Sequence, residues 1–127
     1  MRQIWQGRVT FTDTKSGKNR TVPIADELES ELREHAKTQR LDGRLFTSSM
    51  GAFRRALGKT SIELPAGQAA HVLRHSFASH FVMNGGDILT LQKILGHSSV
   101  VMTMRYSHLA PEHFEACKGL NPLVILI

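Results

Sequence analysis

Cysteine is nearly missing from this chain: Cys117 is the only one in 127 residues. One thiol cannot close an internal disulfide, which suits a reducing compartment, and it excludes a thiolate metal cluster. Aromatic residues are scarce, with one Trp and one Tyr. Any chemistry that needs a phenol therefore has a single candidate, Tyr106. No apolar run approaches the roughly 18 residues of a membrane span. The apolar tail, PLVILI at residues 122–127, is only six residues long. The start, MRQIWQGRVTF, has none of the apolar core of a secretory leader. The expected place of action is the cytoplasm, with no membrane partner. HExxH, Walker and dinucleotide glycine patterns are all absent.

Acidic residues are outnumbered. Eleven Asp and Glu stand against 16 Lys and Arg, a formal charge of +5 with His neutral. The excess suits a polyanionic partner such as nucleic acid, and equally a plain solvated basic surface. Carboxylates are also sparse around residues 71–108, which argues against a metal-dependent nuclease despite seven histidines.

At this length the chain forms one domain at most, with an ordinary apolar fraction of 41%. Residues 7–13 and 20–24 alternate as strands around the turn Ser16-Gly17-Lys18-Asn19, predicting a hairpin over 7–24 with a basic tip. Pro23 places the second strand at an edge or ends it there. Asp26 is the expected N-cap of a helix to about Thr38, with Glu29 in the capping-box position. Leu41–Gly43 is a linker, and Leu45 and Phe46 a buried anchor. Ser49 caps a helix to Leu57, ended by Gly58, and 59–69 is a loop.

A longer helix begins near Gln68, with an expected apolar stripe of Val72, Leu73, Ser76, Phe77, His80 and Phe81. Asn84-Gly85-Gly86 ends it. Asp87 caps the next helix, through Ile88, Leu91, Ile94 and Leu95 to Gly96. Ser98 or Ser99 starts a third through Val101 and Met104. Pro111 begins a fourth, ending near Gly119. The fold class is α+β and mainly helical: a hairpin, a helical part over 26–119, and a tail over 120–127.

The chemistry gathers in HVLRHSFASHF and ILGHSSVVMTMRYSH. His71 and Arg74 are three apart on one helical face, near an N-terminus that favours an anion. A guanidinium can hold two phosphate oxygens with its planar fork. As an isolated pair they equally suit a surface arginine and a core histidine. His97 follows Gly96 at a helix junction. Tyr106 offers a phenol, a weak nucleophile unless positive charge or a base assists it; the alternative is a tyrosine at the core edge. His108 and His113 read as surface or packing residues. Lys15 sits at the hairpin tip, within a basic stretch with Lys18, Arg20, Arg8 and Arg2, which also fits a solvated turn. His71 and His75, at i and i+4, lack acidic co-ligands for a metal.

These motifs, together with TKSGKNRTVPI, NGGDILTLQKILGHSSVVMTMRYSHLAPEHF and LNPL, resemble the catalytic domain of the tyrosine recombinases. Within them the chain is similar to the phage integrases carried by temperate phages of the HP1 and P2 kind. The resemblance spans nearly the whole chain. It implies site-specific recombination and integration of double-stranded DNA through a 3′-phosphotyrosyl intermediate, without metal, cofactor or small-molecule substrate. It makes Tyr106 the nucleophile, Arg74 the second clamp arginine, His71 a phosphate contact and acid–base helper, His97 the later stabilising position, and Lys15 the general acid. It implies DNA contacts from Lys15, Lys18, Arg20, His71, Arg74, His97 and Arg105. It also implies self-association through the apolar tail.

One departure stands out. The family's first clamp arginine precedes the first strand of the hairpin, where this chain has only Met1–Gln6, and its N-terminal DNA-clamping domain is not in the sequence. A missing oxyanion donor costs roughly 10²–10³ in rate. The expectation is therefore a partial catalytic domain of impaired activity. The alternative is a DNA-binding or regulatory fragment without catalysis, or an inactive remnant.

Overall fold

The computed structural model of the chain describes residues 3–12, 14, 17–38, 45–46, 49–112 and 118–120. It divides into two compact units, Met1–Ala69 and Ala70–Ile127.

The first unit carries a three-stranded antiparallel sheet in the order β1 (Ile4–Trp5), β2 (Arg8–Phe11) and β3 (Arg20–Pro23). The hairpin occurs as expected, with Val9 opposite Val22. Proline lacks a ladder N–H, and β3 is an edge strand that ends at Pro23. Strand β1 was not expected. Gln6 and Gly7 both have positive φ, 48° and 70°, in the two-residue turn that joins it to β2. That backbone matches the twist of a tight hairpin. Ile4 on β1 is buried, at 5% exposure.

Helix α1 (Asp26–Lys37) corrects the cap assignment: Ala25 is the N-cap, and no side chain caps it. Asp26 instead lies in an acidic first turn with Glu27 and Glu29, where carboxylates oppose the positive helix end. Glu29 accepts the amide of Gly7 at 2.5 Å and pairs with Arg33. It thereby ties α1 to the β1–β2 turn. Phe46 is exposed rather than a buried anchor, at 58%, and stacks on His35 with ring centroids 5.1 Å apart. A flat aromatic partner covers one of its faces only. Helix α2 (Met50–Leu57) lies where expected, but the Ser49 side chain makes no capping bond. The linker at Leu41–Gly43 falls outside the described residues.

The second unit is helical: α3 (Ala69–Met83), α4 (Ile88–Leu95), α5 (Val101–Met104) and a 3-10 turn (Ser107–Leu109). Asp87 caps α4 as expected, accepting from the Thr90 amide at 2.8 Å. Val100, not a serine, is the N-cap of α5; the Ser99 hydroxyl accepts from the Val101 amide nearby. The core is Ala78, Val82, Leu91, Leu95 and Tyr106, with Phe81, Ile88 and Leu109 packed against it.

This core corrects the α3 stripe. Leu73 and Phe77 are 57% and 48% exposed, while Ala78 and Val82 are fully buried. The inward face runs through positions 75, 78 and 82, which repeat at helical spacing. Ala78 is small, and that allows the neighbouring core side chains to approach. Pro111 and Glu112 are not helical. The rest of the expected fourth helix lies largely outside the described residues, as does the tail from Asn121. No helix among the described residues is long and apolar enough to cross a membrane.

Candidate active site

Three elements of the second unit converge on Leu95, the last residue of α4. Its side chain packs in the core with Tyr106. Its carbonyl accepts a hydrogen bond from Nη2 of Arg74, on α3, at 2.6 Å. Helix C-termini leave carbonyls without intrahelical partners, so a guanidinium is a fitting one. Arginine has five N–H donors, and this bond uses one.

Gly96 turns the chain out of α4 with φ 69° and ψ 32°, the left-handed region that residues with a Cβ rarely enter. The turn delivers His97. The His97 amide donates to the Gln92 carbonyl at 3.1 Å, and Gln92 Nε2 donates to the His97 carbonyl at 3.2 Å. The imidazole is fixed as well: Nδ1 lies 2.8 Å from the hydroxyl of Thr103, a fully buried residue on α5. A threonine inside a core needs a partner for its hydroxyl, and His97 is that partner.

Tyr106 follows α5 and is the N-cap residue of the 3-10 turn. It is only 6% exposed, with its ring in the core. Its hydroxyl ends 2.5 Å from Nδ1 of His75 on α3, with the two rings tilted by 44°. The guanidinium of Arg105 lies 6.0 Å from the centre of the Tyr106 ring. That cation is close enough for an electrostatic contact with the ring face.

The structure therefore brings Arg74, His97 and Tyr106 together as three of the expected site residues, around the end of α4. His71 is exposed on α3, one turn before His75. Lys15 falls outside the described residues; Lys18 is exposed and Arg20 half-buried in the first unit. Two participants were missed by sequence reasoning: Thr103 and His75. In the sequence His75 stands out only as a metal-ligand candidate without acidic partners. Its position on the 75, 78, 82 repeat marks it as facing inward, toward the face that receives the phenol. Nothing in the sequence singled out Thr103. Among the described residues, no group of three or more His, Cys, Asp or Glu is arranged to hold a metal ion.

The chain and its fold have clear relatives. The integrase of Escherichia phage 186 is 57% identical over 96% of this chain and 35% of its own length. The integrase of Haemophilus phage HP1 is 53% identical over 95% of this chain and 34% of its own. That of Escherichia phage P2 is 46% identical, over 94% of this chain and 34% of its own. The chain thus spans about a third of the length of these relatives. The solved catalytic domain of bacteriophage HP1 integrase superimposes with a TM-score of 0.84 at 53% identity, covering 97% of this chain and 70% of that one. The family described as Phage integrase family matches residues 2–113, and this chain belongs to it.

Proposed function

We propose that the chain carries the cleavage centre of a site-specific DNA recombinase. Tyr106 attacks a backbone phosphate to form a 3′-phosphotyrosyl link and free a 5′-hydroxyl, and a partner 5′-hydroxyl then reverses the step. One observation carries this reading: the sole tyrosine shares a small region with an arginine and two histidines, each fixed by a named hydrogen bond.

Each group has a role that its chemistry suits. The phosphorus gathers negative charge on its equatorial oxygens during attack. A fixed guanidinium at Arg74 and an oriented imidazole at His97 stabilise that charge more than the ground state. His71 contacts the phosphate from the first turns of α3. Lys15 protonates the leaving 5′ oxygen. Lys18, Arg20 and Arg105 add backbone contacts that hold the duplex and make binding salt-dependent. The tail joins copies of the protein, and the protein works in the cytoplasm of a bacterium that carries the phage genome.

The test is a nicked duplex cut from the phage–host junction beside the gene. Cleavage traps a covalent protein–DNA adduct, because the short strand beyond the nick diffuses away. The expected result is an adduct that disappears with Tyr106→Phe, which keeps the ring in the core but removes the nucleophile. Salt-dependent DNA binding with no adduct would favour a binding module instead.

A further inference from the structure

A tyrosine hydroxyl that attacks phosphorus must lose its proton during the step. Water is poorly placed to take it here, since Tyr106 is 6% exposed. The group that touches the hydroxyl is His75, whose Nδ1 lies 2.5 Å from Oη. A neutral imidazole protonated on Nε2 presents a lone pair at Nδ1 and accepts from an O–H donor. The imidazole is held in place by α3, a 15-residue helix whose neighbouring residues Ala78 and Val82 are fully buried. His97, the other imidazole of the site, has its Nδ1 engaged with Thr103. His71 lies on the exposed surface of the helix.

We propose that His75 is the base that accepts the phenol proton of Tyr106 in the cleavage step. The proposal deepens the recombinase reading and rests on it. As the Oη–P bond forms, the P–O5′ bond breaks. The phenol proton moves to Nδ1 of His75, and the leaving O5′ keeps the bonding electron pair and takes a proton from the general acid. In rejoining, the attacking 5′-hydroxyl forms the P–O5′ bond and gives its proton back to the general acid's conjugate base, while the Oη–P bond breaks and the phenolate departs with the electron pair. His75 then returns the proton to Oη. General-base assistance of this kind contributes roughly 10²–10⁴ in rate.

The test has two arms. The first uses the chain alone, labelled with ¹⁵N, at a pH where the imidazole is neutral. Nitrogen NMR is expected to show Nε2 of His75 protonated and Nδ1 bare and coupled to the Tyr106 hydroxyl proton. A proton found on Nδ1 would make His75 a donor to the phenol oxygen and overturn the proposal.

The second arm uses the nicked duplex. His75→Asn leaves a hydrogen-bonding amide near the Nδ1 position but nothing that can take a proton. Adduct formation is expected to fall by about 10²–10⁴-fold. Because Tyr106 is the sole tyrosine, difluorotyrosine supplied in place of tyrosine changes that phenol alone. Its greater acidity lessens the need for a base, so it is expected to restore most of the lost rate to His75→Asn. An undiminished rate in His75→Asn, or a loss that fluorination leaves untouched, overturns the proposal. If the unaltered chain forms no adduct, the recombinase reading fails, and the NMR arm alone decides whether His75 accepts the proton.

Discussion

Arg74 donates to the carbonyl of Leu95 at 2.6 Å, and this bond ties a guanidinium of the candidate site to the last residue of α4. Among the described residues the guanidinium is positioned by backbone and not by a carboxylate. Its positive charge therefore stays available to a phosphate, where an ion pair would have neutralised it. Lysine would keep the charge and lose the planar fork. Arg74→Lys is expected to leave the melting temperature nearly unchanged and to lower the yield of covalent adduct by roughly 10²–10³-fold. Parallel thermal melts and adduct gels check both halves.

Gly96 sets the direction of His97. A Cβ in the left-handed region costs about 1–2 kcal/mol. Gly96→Ala is expected to destabilise the chain by about that amount in urea unfolding. Gly96→Asn should cost less, because asparagine tolerates this conformation better. Equal losses from the two would show that backbone φ is not the cause.

Thr103 is fully buried and its hydroxyl meets His97 Nδ1 at 2.8 Å. Thr103→Val keeps the shape and removes the partner. It is expected to cost about 1 kcal/mol and to broaden the His97 ring resonances as the imidazole loses its fixed orientation. Thr103→Ser restores the hydroxyl and should restore those resonances.

Acid should loosen both units through different carboxylates. Arg33, and then the Gly7 amide, hold the Glu29 carboxyl below the ordinary glutamate value. The hydrogen bonds from Thr90 do the same for Asp87. A lowered folded value means that the unfolded chain takes up protons first. The stabilisation is therefore present above the ordinary carboxylate range and is lost as pH falls below about 4. Glu29→Gln and Asp87→Asn are each expected to flatten the fall in melting temperature between neutral and acid pH. Curves that parallel the unaltered chain would exclude these two carboxylates.

Local signals carried much of the fold. The hairpin, the Asp87 cap, the glycine stop after α3 and the Gly96 turn all rest on residues whose backbone preferences act within a few positions. Strand β1 escaped because its turn, Gln6-Gly7, lacks the Asn or Asp that usually announces a two-residue hairpin. The buried face of α3 escaped for a different reason. Leu73 and Phe77 are the larger apolar side chains, but tertiary packing selected Ala78 and Val82. Motif spacing and the family resemblance pointed to Arg74, His97 and Tyr106, which the fold places around the end of α4. His75 and Thr103 take part through packing, which spacing does not record.

The His75–Tyr106 contact spans 31 positions of chain, and the Arg74–Leu95 contact only 21. The site's described hydrogen bonds thus close short loops inside one compact unit. Loop-closure entropy grows only slowly with such lengths, and local topologies fold fast. The surroundings of Tyr106 should therefore assemble early in folding, within the second unit. Damage to the core around Tyr106 would then appear as slower folding of the second unit as well as lost chemistry.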